Sequence, residues 1–161
     1  MTIQEYNQCV YDYSDALFRF IQKNLKDQME AENVVQNTFE KLWIRREDVV
    51  YETARPFIFK VGYNNMIDLI RKRKHEVAMD AVPEKHYWEN QPAAGLKEAL
   101  NKALNRLPEK LKTVVLLRDY EGHDYRTIGT ITGMSEAQVK INIFRARKAL
   151  KEYIGSIESV M

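Results

Sequence analysis

A chain of 161 residues with 45% hydrophobic and 30% charged side chains can bury one medium core or two small ones, and it is too well patterned to be disordered. Its formal charge of +2 is only mildly basic, so the overall balance gives a nucleic-acid partner weak support, and the single cysteine, Cys9, excludes an internal disulfide. His75, His86 and His123 are scattered, so no metal site or cofactor is indicated. With no export signal and no aliphatic run longer than residues 114–117, a cytoplasmic chain without membrane insertion is expected.

In residues 3–25, Val10, Tyr13, Leu17 and Ile21 mark one face of a helix free of Gly and Pro. Asp27 and Glu30 form a capping-box signature for a second helix, whose stripe is Val35, Phe39 and Leu42, widened by Val34 and Trp43. The outer face of that helix carries Glu32, Gln36, Asn37 and Glu40. It is polar without being basic, which suits a protein-docking surface or solvent and does not suit DNA. Residues 47–55 break the period as a loop, and Pro56 is placed as the first residue of a third helix reaching about Lys74.

That third helix opens with Phe57, Ile58, Phe59, Val61 and Tyr63, carries Asn64 and Asn65 midway, and ends in Arg71, Lys72, Arg73 and Lys74. The positive charge is local: residues 1–53 hold 10 acidic and 6 basic side chains, whereas residues 54–75 hold six basic ones against Asp68. Cations at a helix C-terminus are ordinary partners of the helix dipole. Beside aromatics and amides they also supply what single-stranded nucleic acid needs, namely ring faces for bases, amides for base edges and cations for phosphates.

Beyond residue 76 the period is lost, and Pro83, Pro92 and Gly95 mark a linker in which His86, Tyr87 and Trp88 form an aromatic island. These rings either pack back onto a domain or dock on a partner. Leu96, Leu100, Leu104 and Leu107 then form a helical stripe stopped by Pro108. A helix over residues 109–120 follows, with Leu111, Val114, Val115 and Leu117 apolar, and Glu121, Gly122 and His123 form a turn. The tail from Lys151 is expected to fray after Gly155. No strand alternation occurs, so the expected fold class is all-α: two small helical domains, residues 1–76 and 96–161, joined by a flexible linker over 77–95.

Residues 124–150 organise the rest. Asp124 is placed as an N-cap, Ile128 and Ile131 are apolar positions of a short helix, and Gly129 is small where two helices would cross. Gly133 stops that helix in the left-handed conformation, Met134 turns inward, and Ser135 with Gln138 reads as a capping box for a longer helix. In the longer helix Val139, Ile143, Ala146 and Leu150 make one buried stripe. Lys140, Ile141, Phe144, Arg145 and Lys148 lie on the other face, where a recognition helix meets the major groove. An ordinary amphipathic helix with a solvated basic face is the bland alternative. A small residue, a turn glycine and a capped start at the spacing of a helix-turn-helix argue against it.

Three stretches in order resemble the extracytoplasmic-function group of bacterial RNA polymerase sigma factors. Residues 30–43, EAENVVQNTFEKLW, resemble the family's core-polymerase-binding helix. Residues 56–74, PFIFKVGYNNMIDLIRKRK, are similar to its promoter-melting helix, and residues 104–150 to its C-terminal domain. Asn37 stands where the family usually has an acidic residue, Thr132 replaces an aliphatic one, and Ile141 stands where a small polar residue is common.

The resemblance implies a non-enzymatic initiation subunit whose partners are core RNA polymerase and promoter DNA. An anti-sigma protein, which the family commonly has, is a candidate partner. It implies core docking through Glu32, Gln36, Asn37 and Glu40, and reading of the upstream (minus-35) element as duplex by Lys140, Ile141, Phe144, Arg145 and Lys148. The downstream (minus-10) element would be captured as single strand by Tyr51, Asn64, Arg71, Lys72, Arg73 and Lys74. The rival from another class is a helix-turn-helix regulator that binds duplex DNA without polymerase. An enzyme lacks support, since no Gly-rich phosphate loop and no nucleophile with a neighbouring base is present.

Overall fold

A computed structural model describes residues 1–80 and 95–160. The linker residues Pro83, His86, Tyr87, Trp88 and Pro92 lie outside the described residues, and so does most of the expected linker. The described residues are helical, without strands. In chain order they form α1 (Ile3–Leu25), α2 (Gln28–Ile44), a 3-10 turn (Tyr51–Thr53), α3 (Ala54–Asp80), α4 (Leu96–Arg106), α5 (Glu109–Val115), a π-helical segment (Leu116–Tyr120), α6 (Tyr125–Thr132) and α7 (Glu136–Val160).

Helices α1, α2 and α3 pack mutually into one bundle, and α4, α5 and α6 each pack on α7. In the first bundle the apolar stripes meet in a core of Leu17, Phe20, Ile21, Leu42, Ile58, Phe59 and Met66, each at most 1% exposed. Burial of each such side chain contributes about 1.5–3 kcal/mol. Start signals are local. Thr2 and Glu5 exchange both bonds of a capping box ahead of α1, and Lys26 ends α1 in the left-handed conformation. Asp27 accepts from the Glu30 backbone at 3.0 Å. Its box is nonetheless half made, because the Glu30 carboxylate turns to Arg73.

Several expected boundaries move. Helix α3 starts two residues before Pro56, which therefore sits third, still inside the first turn where its missing N–H leaves no bond unmade. It runs to Asp80, past the expected domain end at residue 76, and α7 continues to Val160 through Gly155. One glycine costs about 1 kcal/mol, too little to stop a long helix. In α4 the buried positions are Ala99, Ala103 and Leu104, while Leu96 is 70% exposed. Leu104 of the expected stripe is thus buried, and Leu100 and Leu107 pack against the core, so only its first leucine is left in solvent.

The helix expected over residues 109–120 changes pitch at Leu116. Glu121 N–H donates to Leu116 O at 3.0 Å, the wide spacing of a π-turn, and His123 N–H reaches Leu117 O at 3.0 Å. This widening turns Glu121 and His123 out of the second bundle and toward the first.

Candidate nucleic-acid interface

The helix-turn-helix forms as its local chemistry dictates. Asp124 Oδ1 accepts from Thr127 N–H at 2.7 Å, and that backbone donor holds the Asp124 carboxyl below its usual range. Gly133 caps α6 at φ 81°, a region L side chains avoid. A Cβ on Gly129 would stand 2.8 Å from Met134 O, so the small residue makes room for the turn's own carbonyl as the chain doubles back. Ser135 and Gln138 exchange both capping-box bonds, at 3.1 and 2.9 Å. Thr132, the departure in α6, bonds Ile128 O through its hydroxyl and accepts from Met134 N–H, so it serves the turn as well.

The inward stripe of α7 is buried as expected at Val139, Ile143, Ala146 and Leu150. The outward face carries Lys140, Ile141, Phe144, Arg145 and Lys148, all exposed. Ile141 is 50% and Phe144 68% exposed. Two large apolar groups one turn apart, open to water beside cations, suit base edges with methyl groups. Lys140 is held loosely, 3.9 Å from Glu136 and 5.8 Å from the Tyr125 ring centroid.

The second set of site residues is dispersed more than the sequence suggests. Tyr51 sits in the 3-10 turn against α1, where burial and then Asp12 push its phenol up. Asn64 is exposed on α3, ten residues and about 15 Å of helix rise beyond that helix's first residue, Ala54. It lines an open cleft of about 380 Å³ with Lys41, Ile44, Arg45 and Val61. The rings that open α3 are not free platforms either: Phe59 is fully buried, and Phe57 and Tyr63 pack against the core.

The basic run divides. Arg71 and Lys72 are exposed without ion pairs among the described residues, whereas Arg73 bonds Leu25 O and the Glu30 carboxylate, with Asp27 at 3.9 Å. Lys74 reaches Glu109 of the second bundle at 3.1 Å. In this arrangement the Arg73 guanidinium ties α3 to the α1–α2 corner, while still 36% exposed. Glu32, Gln36, Asn37 and Glu40 remain together on the exposed face of α2.

Sequence reasoning missed the contact between the bundles. Arg19 of α1 grips Glu121 through two nitrogens, the shortest bond being 2.5 Å, and the Glu121 side chain is 1% exposed. Arg55 of α3 donates to Glu121 O. The His123 ring meets Phe59 edge-on at 4.5 Å and is 2% exposed, and its Nε2 has no hydrogen-bond partner among the described residues. Burial, and then Arg55, hold the His123 pKa at about 4. The mildly acidic turn carried no signal of this, since its partners are remote in sequence. Among the described residues no group of His, Cys, Asp and Glu could hold a metal, and no helix is long and apolar enough to cross a membrane.

Comparison with known proteins falls along the same division. Residues 9–76 match the family described as sigma-70 region 2, and residues 97–150 match sigma-70 region 4. The chain is 31% identical over 156 residues to the ECF RNA polymerase sigma factor SigM of Bacillus subtilis, covering 94% of each chain. It is 28% identical to the RNA polymerase sigma factor SigV of the same organism, covering 89% of this chain and 87% of that one. Among solved structures, the sigma factor RpoE in complex with the anti-sigma factor NepR from Bartonella quintana superposes with a TM-score of 0.81 at 25% identity. The match covers 95% of this chain and 98% of RpoE.

Proposed function

We propose, for a chain that belongs to the ECF RNA polymerase sigma factors, that α7 reads the minus-35 promoter element as duplex while the first domain docks on core polymerase and captures the minus-10 element as single strand. The observation that carries the reading is the exposed Ile141 and Phe144 pair, set among Lys140, Arg145 and Lys148 on a fully capped helix-turn-helix. Cations on phosphates would position the helix and the apolar pair would face thymine methyl groups. The polar α2 face, with Glu32, Gln36, Asn37 and Glu40, would dock on core polymerase, placing the protein's work in the cytoplasm.

Strand capture needs no bond chemistry. Unstacking costs a few kcal/mol and each captured base can return about 1 to 3, so a few contacts with polymerase support suffice to hold a strand open. Tyr51 in the 3-10 turn and Asn64 on the exposed side of α3 would meet different nucleotides of one strand, with Arg71 and Lys72 along the backbone. An anti-sigma factor holds the RpoE relative in its solved complex, and the same class of partner suits this chain. A duplex-only regulator would leave the α2 face and Asn64 without a role.

The test mixes the purified chain with sigma-free core polymerase and measures permanganate reactivity of unpaired thymines on linear and pre-melted promoter templates. Specific opening is expected with the parent. Tyr51→Ala together with Asn64→Ala should keep upstream duplex binding but lose opening, and a pre-melted bubble should restore only part of it. Opening of linear promoter at the parent's level by the double variant would remove these residues from the capture site.

A further inference from the structure

The cleft between the two bundles holds an ammonium group that no acid among the described residues pairs with. Lys112 of α5 is 7% exposed, and its Nζ donates at 3.0 Å to a neutral amide, Asn105 Oδ1. A buried cation without a counter-charge is costly, and buried charges are ordinarily paired. Here burial, followed by the charges of Lys26 and Lys23 at the end of α1, lowers the Lys112 pKa to about 8. The nearby acids are engaged elsewhere: Glu109 with Lys74 at 3.1 Å, and Glu30 with Arg73. Lys26 carries no ion pair among the described residues, and Lys23 lies over the Tyr120 ring at 4.8 Å.

Asn24 and Lys26 from α1, Arg73 from α3, and Asn105 and Lys112 from the second bundle line a cavity of about 250 Å³. That is smaller than the roughly 300–1,000 Å³ of pockets that enclose drug-sized ligands. Ile70 and Leu107 supply its apolar wall, and its one carboxylate, Glu109, is held by Lys74, which leaves the cations in excess. We propose that this cleft binds a small multivalent oxyanion of the phosphate class, a pyrophosphate or the diphosphate group of a nucleotide, on Lys112, Lys26 and the Asn24 amide. A ligand of two or more negative charges matches the ammonium groups left unpaired, and a diphosphate fits the volume where a whole nucleotide does not. Both bundles wall the cavity, so an occupied site holds them closed, and separating them divides it. By linkage, the anion opposes any partner that needs the domains apart. The site does not depend on the sigma-factor reading, because it concerns the closed chain alone.

The experiment is calorimetric titration of the full chain with sodium pyrophosphate at pH 7, at ionic strength held constant with sodium chloride. A saturable single-site isotherm is expected. Lys112→Met should weaken binding at least tenfold, whereas Lys97→Met, on the exposed start of α4, should bind as the parent does. Lys26→Gln alters only an exposed side chain, is expected to bind several-fold more weakly, and decides the matter if Lys112→Met fails to fold. ADP binding more tightly than pyrophosphate would assign the site to a nucleotide, and ADP binding equally or less tightly would assign it to the free anion. Absence of saturable binding, or parent-like affinity in Lys26→Gln or in folded Lys112→Met, would overturn the proposal. So would binding of a single-stranded oligonucleotide where neither small anion binds.

Discussion

At the scale of single residues, two positions convert the geometry into measurable stability. Gly129 faces the Met134 carbonyl at a distance where a Cβ would stand 2.8 Å away, and a backbone oxygen inside a tight turn cannot yield as a flexible side chain does. Overpacking costs roughly 1–3 kcal/mol and alanine recovers up to about 1 in helix propensity. Gly129→Ala should therefore destabilise the chain by about 1–2 kcal/mol in denaturant unfolding, and a stabilised variant would contradict this packing. His123 supplies the pH dependence. Its folded pKa of about 4 lies below the ordinary 6.5, so between these values the unfolded chain binds more protons than the folded one. Stability is full above pH 6.5 and falls as pH drops toward 4, by about 3 kcal/mol at most. The melting temperature should fall between pH 7 and pH 5, and fall less in His123→Leu. Equal falls in the two would place the titrating group elsewhere.

At the scale of elements, α6 and α7 are separable from the rest because their geometry is fixed within a few residues of each position. The proposed recognition surface follows from the register of α7: with Val139, Ile143 and Ala146 inward, Arg145 must face outward. Arg145→Ala should cost about 1–3 kcal/mol at a cognate upstream site and relax preference at one base pair, if the guanidinium is bidentate to guanine. A uniform loss across sequences, with the salt slope reduced by about one, identifies a phosphate contact instead. Competition binding on single-base variants of the upstream element separates the two, and no change in either quantity would mean that α7 is oriented differently. The π-turn after α5 is an element of another kind. It buries Leu116 and Leu117 in the core and ends by presenting Glu121 and His123 to the first bundle.

For the whole molecule, the closed arrangement depends on a carboxylate kept from water by a neighbour 102 residues away in the chain. Truncating Arg19 leaves the Glu121 side chain 1% exposed and without its guanidinium, a state that opening relieves. Arg19→Ala should raise the radius of gyration in small-angle scattering at unchanged helix content, and should speed formation of the promoter complex with core polymerase. A particle as compact as the parent's would show that apolar contacts such as Phe59 with His123 hold the domains without it. Opening also releases Arg55 and Lys74, which the closed form holds against Glu121 and Glu109.

The amino-acid sequence by itself determined the elements, the two-bundle division and the helix-turn-helix. Caps such as Asp124 with Thr127 and Ser135 with Gln138, the glycine turn at Gly133 and the stripe of α7 all act within one or two turns, where residue type and spacing suffice. The exposure of the outer face of α7 was legible for the same reason. Other features were decided only by the tertiary structure. The commitment of Arg73 to Glu30, the burial of Phe59, and the pairing of Glu121 with Arg19 arise when helices distant in sequence pack together. A charge on a turn or at a helix end reads the same in sequence whether it meets water, DNA or a guanidinium from another bundle. Only the folded chain, by removing water from Glu121, His123 and Lys112, distinguishes among them.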